Sequence, residues 1–279
     1  MDWKGREQSQ NVEDRRGSGG GGGGGRTPGI LGIIVVLIGA YYGVDLSGLV
    51  GTPSMGTGST QTSQLKPQEE AELNELARVV LADTEKAWGS YFKQIGRTYT
   101  PTTLVLYNGG TSTACGMGQS AMGPFYCPGD QKVYLDLDFY RDMQTKLNSA
   151  SDAAFAYVIA HEVGHHVQNL LDILPKVHRM QQQVGKKEAN ALSVKLELQA
   201  DCYAGIWGHY AVNNNIFKPE DIPKAMLAAE SVGDDRLQKD GQGYVVPDSF
   251  THGSSEQRMA WLKRGLDSGD INQCNTFGN

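Results

Sequence analysis

The spacing of hydrophobic residues predicts a body in which a few strands come first and helices dominate afterwards. Apolar positions three and four residues apart predict helices over 68–95, 152–174 and 186–213, and shorter helices follow at Pro223 and at about 254–266. An apolar run at 103–107 and strict alternation at 132–139 predict strands. We therefore expect an α+β fold, mainly helical with a small antiparallel sheet.

The N-terminal part of the chain follows a different pattern. Residues 1–26 mix both charges and end in a glycine run, so we expect a disordered head. Residues 27–44 carry no charge, and as a helix they would rise about 27 Å, close to the roughly 30 Å core of a bilayer. A buried core helix and a cleaved signal peptide are the alternatives. The glycine tract before this segment and the flexible linker at 45–67 disfavour a core helix. The long charged region and the lack of an A-x-A site disfavour a cleaved signal, so we expect an uncleaved transmembrane helix.

Basic residues determine the expected orientation of this span. Five Lys and Arg residues precede it, whereas none occurs from 27 to 65. The positive-inside rule places the N-terminus in the cytoplasm and the body, residues 68–279, outside the cytoplasmic (inner) membrane in a single-pass protein. The chain has a formal charge of −6, which belongs entirely to residues 59–279. An acidic body without a basic run argues against nucleic-acid binding.

Four cysteines, all beyond the predicted span, agree with an exported body. An oxidising compartment would allow two disulfides. Cys115 and Cys127 bracket a loop rich in Gly, Ser and Pro, which favours their pairing and leaves Cys202 and Cys274 as the second pair. Four buried free thiols are the alternative. The chain contains no C-x-x-C pair, which disfavours a zinc site made of cysteines.

The candidate chemistry lies in the segment HEVGH at 161–165, inside an apolar predicted helix. Residues i and i+4 share one helix face, so His161 and His165 can bind one metal ion. Glu162 can contact a water molecule at that ion and act as a general base. The alternative is that these are ordinary helix residues, but burying such groups without partners is costly.

A third zinc ligand must come from another helix. Gln168 and Leu171 stand where the metzincin pattern requires Gly and His, so that extension is absent. Glu197 and Asp201 lie one turn apart on one face of the helix predicted over 186–213. We assign Glu197 to zinc and Asp201 to the hydrogen bond that orients a ligand histidine. Spacing alone does not separate the two roles, and an exposed acidic face is the alternative.

The remaining histidines have no metal-binding motif. We interpret His166 as a surface neighbour of the site, and His178 and His209 as structural residues. His252 lies just before a helix that carries Arg258. A donor at that place could stabilise the oxyanion of a tetrahedral intermediate, whereas an exposed histidine at a helix start is the alternative.

Taken together, these segments resemble the bacterial neutral zinc metallopeptidases, membrane-anchored proteins of the zincin type. The resemblance rests on the head WKGREQSQNVEDRRG with its glycine tract and span, and on ACGMGQSAMGPFYCPGDQKVYLDLDFY, AHEVGHHVQ, LELQADCYAGIW, GDDRLQ and THGSSEQR. It implies zinc on His161, His165 and Glu197, with Glu162 as the catalytic acid/base. The E-x-x-x-D spacing of Glu197 and Asp201 is similar to that of the gluzincins.

The resemblance also implies roles at the edge of the cleft. His252 would be a catalytic residue and Arg258 would support the oxyanion, although Gly253 replaces a proline of the gluzincin pattern. Residues 123–126 would border the cleft and pair with an extended substrate. The expected function is a membrane-anchored zinc endopeptidase acting on proteins or peptides. A catalytically silent, zinc-stabilised envelope scaffold is the alternative, and hydrolysis of a non-peptide amide is a third reading.

Overall fold

The structure is a computed structural model that describes residues 1–17 and 63–278. Its helices are α1 (Pro67–Gln94), α2 (Phe139–Thr145), α3 (Asp152–Leu170), α4 (Ile173–Gln181), α5 (Lys186–Asn213), α6 (Ile222–Ser231), α7 (Asp234–Gln242) and α8 (Ser255–Ser268). Its strands are β1 (Val12–Asp14), β2 (Thr103–Tyr107), β3 (Gly110–Thr113), β4 (Gly116–Gln119), β5 (Phe125–Cys127) and β6 (Lys132–Asp136). The mainly helical α+β character of the body thus agrees with the sequence prediction.

Helix α3 is the centre of the core, and its sides are largely buried. It begins at Ser151, whose hydroxyl oxygen accepts a hydrogen bond from the Ala154 amide at 3.0 Å. It ends at Leu170, earlier than the sequence predicted, because Asp172 adopts a left-handed conformation with φ of 61°. Pro175 therefore lies in the first turn of α4, where a missing N–H is tolerated, and does not terminate α3.

Helices α5 and α8 cross at glycine positions. A Cβ added at Gly205 would collide with the carbonyl oxygen of Leu262, and one added at Gly265 would collide with that of Cys202. The backbones can approach this closely only because neither residue has a side chain. The disulfide between Cys202 and Cys274 fixes the C-terminal end of the chain against the same helix. This predicted pairing is confirmed.

The sheet has the strand order β1-β2-β6-β5, with β3 and β4 forming a separate antiparallel hairpin. Within the four-stranded sheet, strand β2 is parallel to both β1 and β6, whereas β5 is antiparallel to β6. The prediction of a small antiparallel sheet is therefore wrong. The hairpin and β5 lie between β2 and β6 in the chain. They carry the chain back to the starting side of the sheet, so β6 runs in the same direction as β2. The confirmed disulfide Cys115–Cys127 ties the hairpin to β5.

Residues 1–17 belong to the folded body, whereas the sequence predicted a disordered head over 1–26. Strand β1 pairs with β2 in register Val12 to Leu104. Trp3 is 4 % exposed and donates from its indole nitrogen to Asp152 at 2.8 Å. Arg6 donates to the main-chain oxygens of residues 214 and 215 at the end of α5. One buried aromatic and long-range hydrogen bonds thus order a segment of polar composition.

This packing also corrects the predicted membrane topology. The proposed span at 27–44 lies outside the described residues. Within 1–17 and 63–278, no helix combines the length and apolarity needed to cross a bilayer. The predicted orientation requires residues 1–26 and the body to lie on opposite sides of a membrane, yet residues 1–17 pack directly against the body. The prediction of a single-pass inner-membrane protein, and of a fold preceded by a transmembrane helix, is therefore wrong.

We predict that Trp3 contributes to the stability of the whole body. Replacing Trp3 with Ala removes a buried indole and leaves a cavity, so the free energy of unfolding should fall by about 3–5 kcal/mol. Urea unfolding monitored by circular dichroism measures this change. The matched control is Lys4→Ala, because the Lys4 side chain is 71 % exposed. Its effect should stay within about 0.5 kcal/mol. Equal stability of the two variants would show that the N-terminal segment does not fold with the body.

Candidate metal centre

The centre is built from facing surfaces of α3 and α5. His161 and His165 lie one turn apart on α3, and Glu197 and Asp201 lie one turn apart on α5. Between the histidines, Gly164 faces the main chain of α5, where an added Cβ would lie 3.1 Å from the carbonyl oxygen of residue 200. The small residue therefore allows the two helices to approach closely enough for their side chains to meet.

Three side chains converge at this crossing. The donor atoms of His161, His165 and Glu197 all lie within 4.8 Å of one another. The Nε2 atom of His161 is 3.0 Å from one carboxylate oxygen of Glu197, and that of His165 is 3.4 Å from the other. The structure thus brings together the three residues that the sequence proposed as ligands. Two imidazoles and one carboxylate form a donor set used by catalytic zinc sites.

The outer nitrogens of both histidines are already hydrogen-bonded. His161 Nδ1 lies 2.8 Å from Asp201, and His165 Nδ1 lies 2.9 Å from the amide oxygen of Gln168. Gln168 donates through its Nε2 to the Leu196 carbonyl, which fixes the orientation of its amide. Both partners are acceptors, so Nδ1 carries a proton in each ring, and the neutral form of each ring with the proton on Nδ1 leaves the lone pair of Nε2 for a metal ion. This tautomer is the one that a zinc ligand requires, and the residues fit a zinc ion.

Asp201 is fully buried behind His161. It accepts hydrogen bonds from Tyr157 at 2.6 Å, from His161 at 2.8 Å, and from Arg258 at 2.8 and 3.1 Å. Burial raises the pKa of this carboxyl, but Arg258 and His161 outweigh burial and lower it to about 2. Asp201 therefore remains ionised and holds the His161 ring in place.

The two carboxylates make the cluster attractive to positive charge. Burial lowers the pKa of His161, but Asp201 and Glu197 outweigh it and raise the pKa to about 10. Burial likewise raises the pKa of Glu197, yet His165, His252 and His161 hold that carboxyl well below its usual range. The electrostatic environment thus favours a bound cation, either a proton or a metal ion, between these side chains.

Arg258 was predicted as oxyanion support, and in the structure its guanidinium makes several hydrogen bonds within the protein. Besides Asp201, the side chain donates to the Tyr157 hydroxyl and to the Val232 carbonyl at 3.2 Å each. It is 4 % exposed and is among the residues that line the cavity. The guanidinium is therefore positioned to support Asp201, and its role toward an oxyanion stays a prediction.

An open cavity of about 290 Å³ lies over the donor set. Glu162 and His252 both line it, together with the proposed ligands. Glu162 is only 8 % exposed, and burial raises the pKa of its carboxyl. A carboxyl with a raised pKa beside a metal-binding cluster is a candidate for proton transfer.

His252 is held at the cavity by a loop anchored to the start of α7. The carboxylate of Asp234 accepts the main-chain N–H groups of Thr251, His252 and Gly253 at 2.8, 2.7 and 3.0 Å. Gly253 has a φ of +94° and packs closely against Leu198 of α5. The loop needs glycine there, where the gluzincin pattern has proline, because only glycine adopts this backbone conformation easily.

Three other histidines complete the comparison with the sequence analysis. His166 is fully buried, not a surface neighbour: it donates through Nε2 to the Thr100 carbonyl and accepts the Tyr126 hydroxyl at 3.0 Å. His178, interpreted as structural, lines the cavity. His209 contacts the Leu266 carbonyl at 2.9 Å, as expected for a structural residue.

Sequence reasoning missed three residues that support the cluster: Tyr157, Gln168 and Asp234. Tyr157 precedes His161 by four residues and Gln168 follows His165 by three, so helical spacing could have placed both beside the motif. Asp234 has no such local signal, because the loop that it anchors lies 17 to 19 residues further along the chain.

Comparison with known proteins agrees with this geometry. A family model described as "Putative neutral zinc metallopeptidase" matches residues 1–277. The chain belongs to this family. The match includes residues 1–17, which the structure packs against the body.

Two bacterial relatives illustrate the range of this similarity. The chain is 54 % identical over 287 residues to "Uncharacterized protein YpfJ" of Escherichia coli (strain K12), covering 100 % of this chain and 99 % of the relative. It is 39 % identical over 219 residues to "Uncharacterized protein Mb2605" of Mycobacterium bovis, covering 74 % and 73 % of the two chains. No solved structure matches the chain.

We predict that removing the Asp201 carboxylate destabilises the protein strongly. In Asp201→Ala, Arg258 stays buried without its counterion, so the free energy of unfolding should fall by about 3–5 kcal/mol at pH 7. The control Asp240→Ala removes an exposed carboxylate and should change stability by less than about 0.5 kcal/mol. If Asp201→Ala loses as little stability as the control, the buried ion pair is not required for folding.

The sign of the pH dependence follows from the lowered pKa. The Asp201 carboxyl has a usual pKa of 3.8, against about 2 in the folded protein. Its contribution is present above about pH 4 and is lost as the pH falls through about 2. The stability difference between wild type and Asp201→Ala should therefore shrink over this range in denaturant titrations at each pH.

Proposed function

We propose that this protein is a zinc-dependent endopeptidase whose metal is held by His161, His165 and Glu197. The observation that carries the proposal is the convergence of both Nε2 atoms on the Glu197 carboxylate, with Glu162 lining the same cavity. Membership of a zinc metallopeptidase family supports the reaction class. Three protein ligands would leave a coordination position open, as catalytic zinc sites do and structural sites do not.

A zinc ion bound there would act as a Lewis acid on the scissile carbonyl and would lower the pKa of a water molecule toward about 7. Glu162 is the group that we assign to move the proton. Its carboxylate takes a proton from water as the water oxygen attacks the carbonyl carbon. When the C–N bond breaks, the protonated Glu162 gives that proton to the leaving amine. The products are a new carboxyl terminus and a new amino terminus.

We assign His252, which lines the same cavity, the role of hydrogen-bond donor to the oxygen that gains negative charge. Its anchored loop would keep this donor in place before the substrate arrives, which is what electrostatic stabilisation of a transition state requires. The three amides bound to Asp234 supply that rigidity. Arg258, through Asp201, orients His161 and is a positioning residue.

We propose proteins or peptides in extended conformation as the substrates. Strand β5 is at the edge of the four-stranded sheet, and Phe125 and Tyr126 line the cavity. An extended chain can add to such an edge by main-chain hydrogen bonds. The Tyr126 hydroxyl, held between His166 and Asn169, fixes this strand over α3.

We predict that Glu162→Gln removes hydrolysis but not zinc binding. The amide keeps the shape of the side chain but cannot accept the proton, so kcat/KM should fall by about 10²–10⁴-fold. A quenched fluorescent peptide library measures the rate, and elemental analysis measures zinc per chain. The control Glu188→Gln alters an exposed carboxylate at the start of α5 and should keep wild-type activity. Equal cleavage by all three proteins would refute the role of Glu162.

We further predict that zinc content depends on the histidine pair. His165→Ala should lose most of its zinc on dialysis, whereas His209→Ala, which changes a histidine of the α5–α8 contact, should retain it. A chelator should abolish hydrolysis by the wild type, and added zinc should restore it. Full zinc content in His165→Ala would contradict the ligand assignment. Zinc retained with no hydrolysis of any peptide would favour the silent scaffold.

A further inference from the structure

We propose that a bay between α4 and α5 binds one uncharged side chain of the substrate, next to the scissile bond. The α4–α5 bay is the part of the cavity lined by Leu174, His178 and Gln181 of α4 and by Ser193 and Leu196 of α5. The inference rests on the proposed peptidase function, for which it names the substrate preference.

Helical spacing explains why these residues form one surface. Leu174, His178 and Gln181 are separated by four and three residues and therefore share one face of α4. Ser193 and Leu196 share a face of α5 with the proposed ligand Glu197. A side chain that enters between these faces thus lies directly beside the metal donors.

Hydrogen bonds close the far end of the bay. Gln181 donates through its Nε2 to the Ser193 hydroxyl at 2.8 Å and to the Ala189 carbonyl at 3.0 Å. These bonds join the last turn of α4 to the early turns of α5. The bay therefore has a fixed depth and can discriminate between side chains by size as well as by polarity.

The walls are apolar near the base and uncharged throughout. Leu174 and Leu196 are 6 % and 7 % exposed, so an aliphatic side chain placed against them would lose contact with water. Burial lowers the pKa of His178, which favours the uncharged form of its ring. Gln181 and Ser193 add polar groups without charge.

A charged substrate side chain would find no counterion in the bay. The carboxylate next to Leu196 on α5, that of Glu197, is already paired with His161 and His165. Burying an unpaired charge is costly, whereas an aliphatic or amide side chain is accommodated. The bay therefore selects residues such as Leu, Met or Gln and rejects Asp, Glu, Lys and Arg.

The test measures binding rather than turnover. Peptide hydroxamates that differ only in the side chain beside the metal-binding group are titrated into the zinc-loaded full chain by calorimetry. The Leu and Gln compounds should bind at least about tenfold more tightly than the Gly compound, a difference of about 1.4 kcal/mol. The Lys and Glu compounds should bind no more tightly than Gly. Equal affinity across the series would overturn the proposal.

Two variants test the bay, one by adding a charge and the other by filling its volume. His178→Glu introduces a carboxylate, so the Lys compound should gain about tenfold relative to the Leu compound. The matched control is Lys176→Glu, an exposed site on the same helix, which should leave the ranking unchanged. Leu174→Phe fills the bay, so the Leu compound should weaken at least about tenfold while the Gly compound keeps its affinity. An unchanged ranking in both variants would overturn the assignment.

Parallel hydrolysis of the corresponding unmodified peptides separates this inference from the proposed function. The expected ranking of hydroxamates without cleavage of any peptide would support the bay and contradict the endopeptidase. Cleavage of peptides together with equal affinities for all the hydroxamates would contradict the bay and support the endopeptidase.

Discussion

The buried carboxylate of Asp201 is the interaction on which the arrangement of this protein depends. It lies on α5, accepts hydrogen bonds from Tyr157 and His161 of α3, and forms an ion pair with Arg258 of α8. A charge with no access to water is tolerated only when every partner is in place. The three helices must therefore adopt one relative position before this residue can be buried, and that position also brings His165 and Glu197 together.

The same constraint explains why two carboxylates one turn apart on α5 differ in role. Asp201 faces a guanidinium and a phenol, so its hydrogen-bonding capacity is used inside the protein. Glu197 faces two imidazoles at the base of an open cavity. The surroundings, rather than the chemistry of the carboxyl group, make one residue a support and the other a candidate ligand. Gln168 and Asp234 likewise hold His165 and the His252 loop from behind.

The sequence predicted correctly those features that depend on residues a few positions apart in the chain. The HEVGH segment needs only one helical turn to place two histidines together, and Glu197 and Asp201 need only another. The contacts that overturned the rest join distant parts of the chain. Trp3 meets Asp152 across 149 positions, and β1 pairs with a strand some ninety residues away. Hydrophobic periodicity cannot identify β1, a three-residue strand of one valine and two acidic residues. The helix break at Asp172 was missed because a non-glycine residue adopts a left-handed conformation there.

The docking of residues 1–17 has a consequence for the order of events during synthesis. Arg6 contacts the main chain at Asn214 and Asn215, so its partners leave the ribosome roughly 10–40 s after it does. Strand β1 is made early, yet it cannot complete its contacts until most of the chain has followed. Closing loops of this length is slow compared with local helix formation. This early segment is thus among the last to acquire its final neighbours.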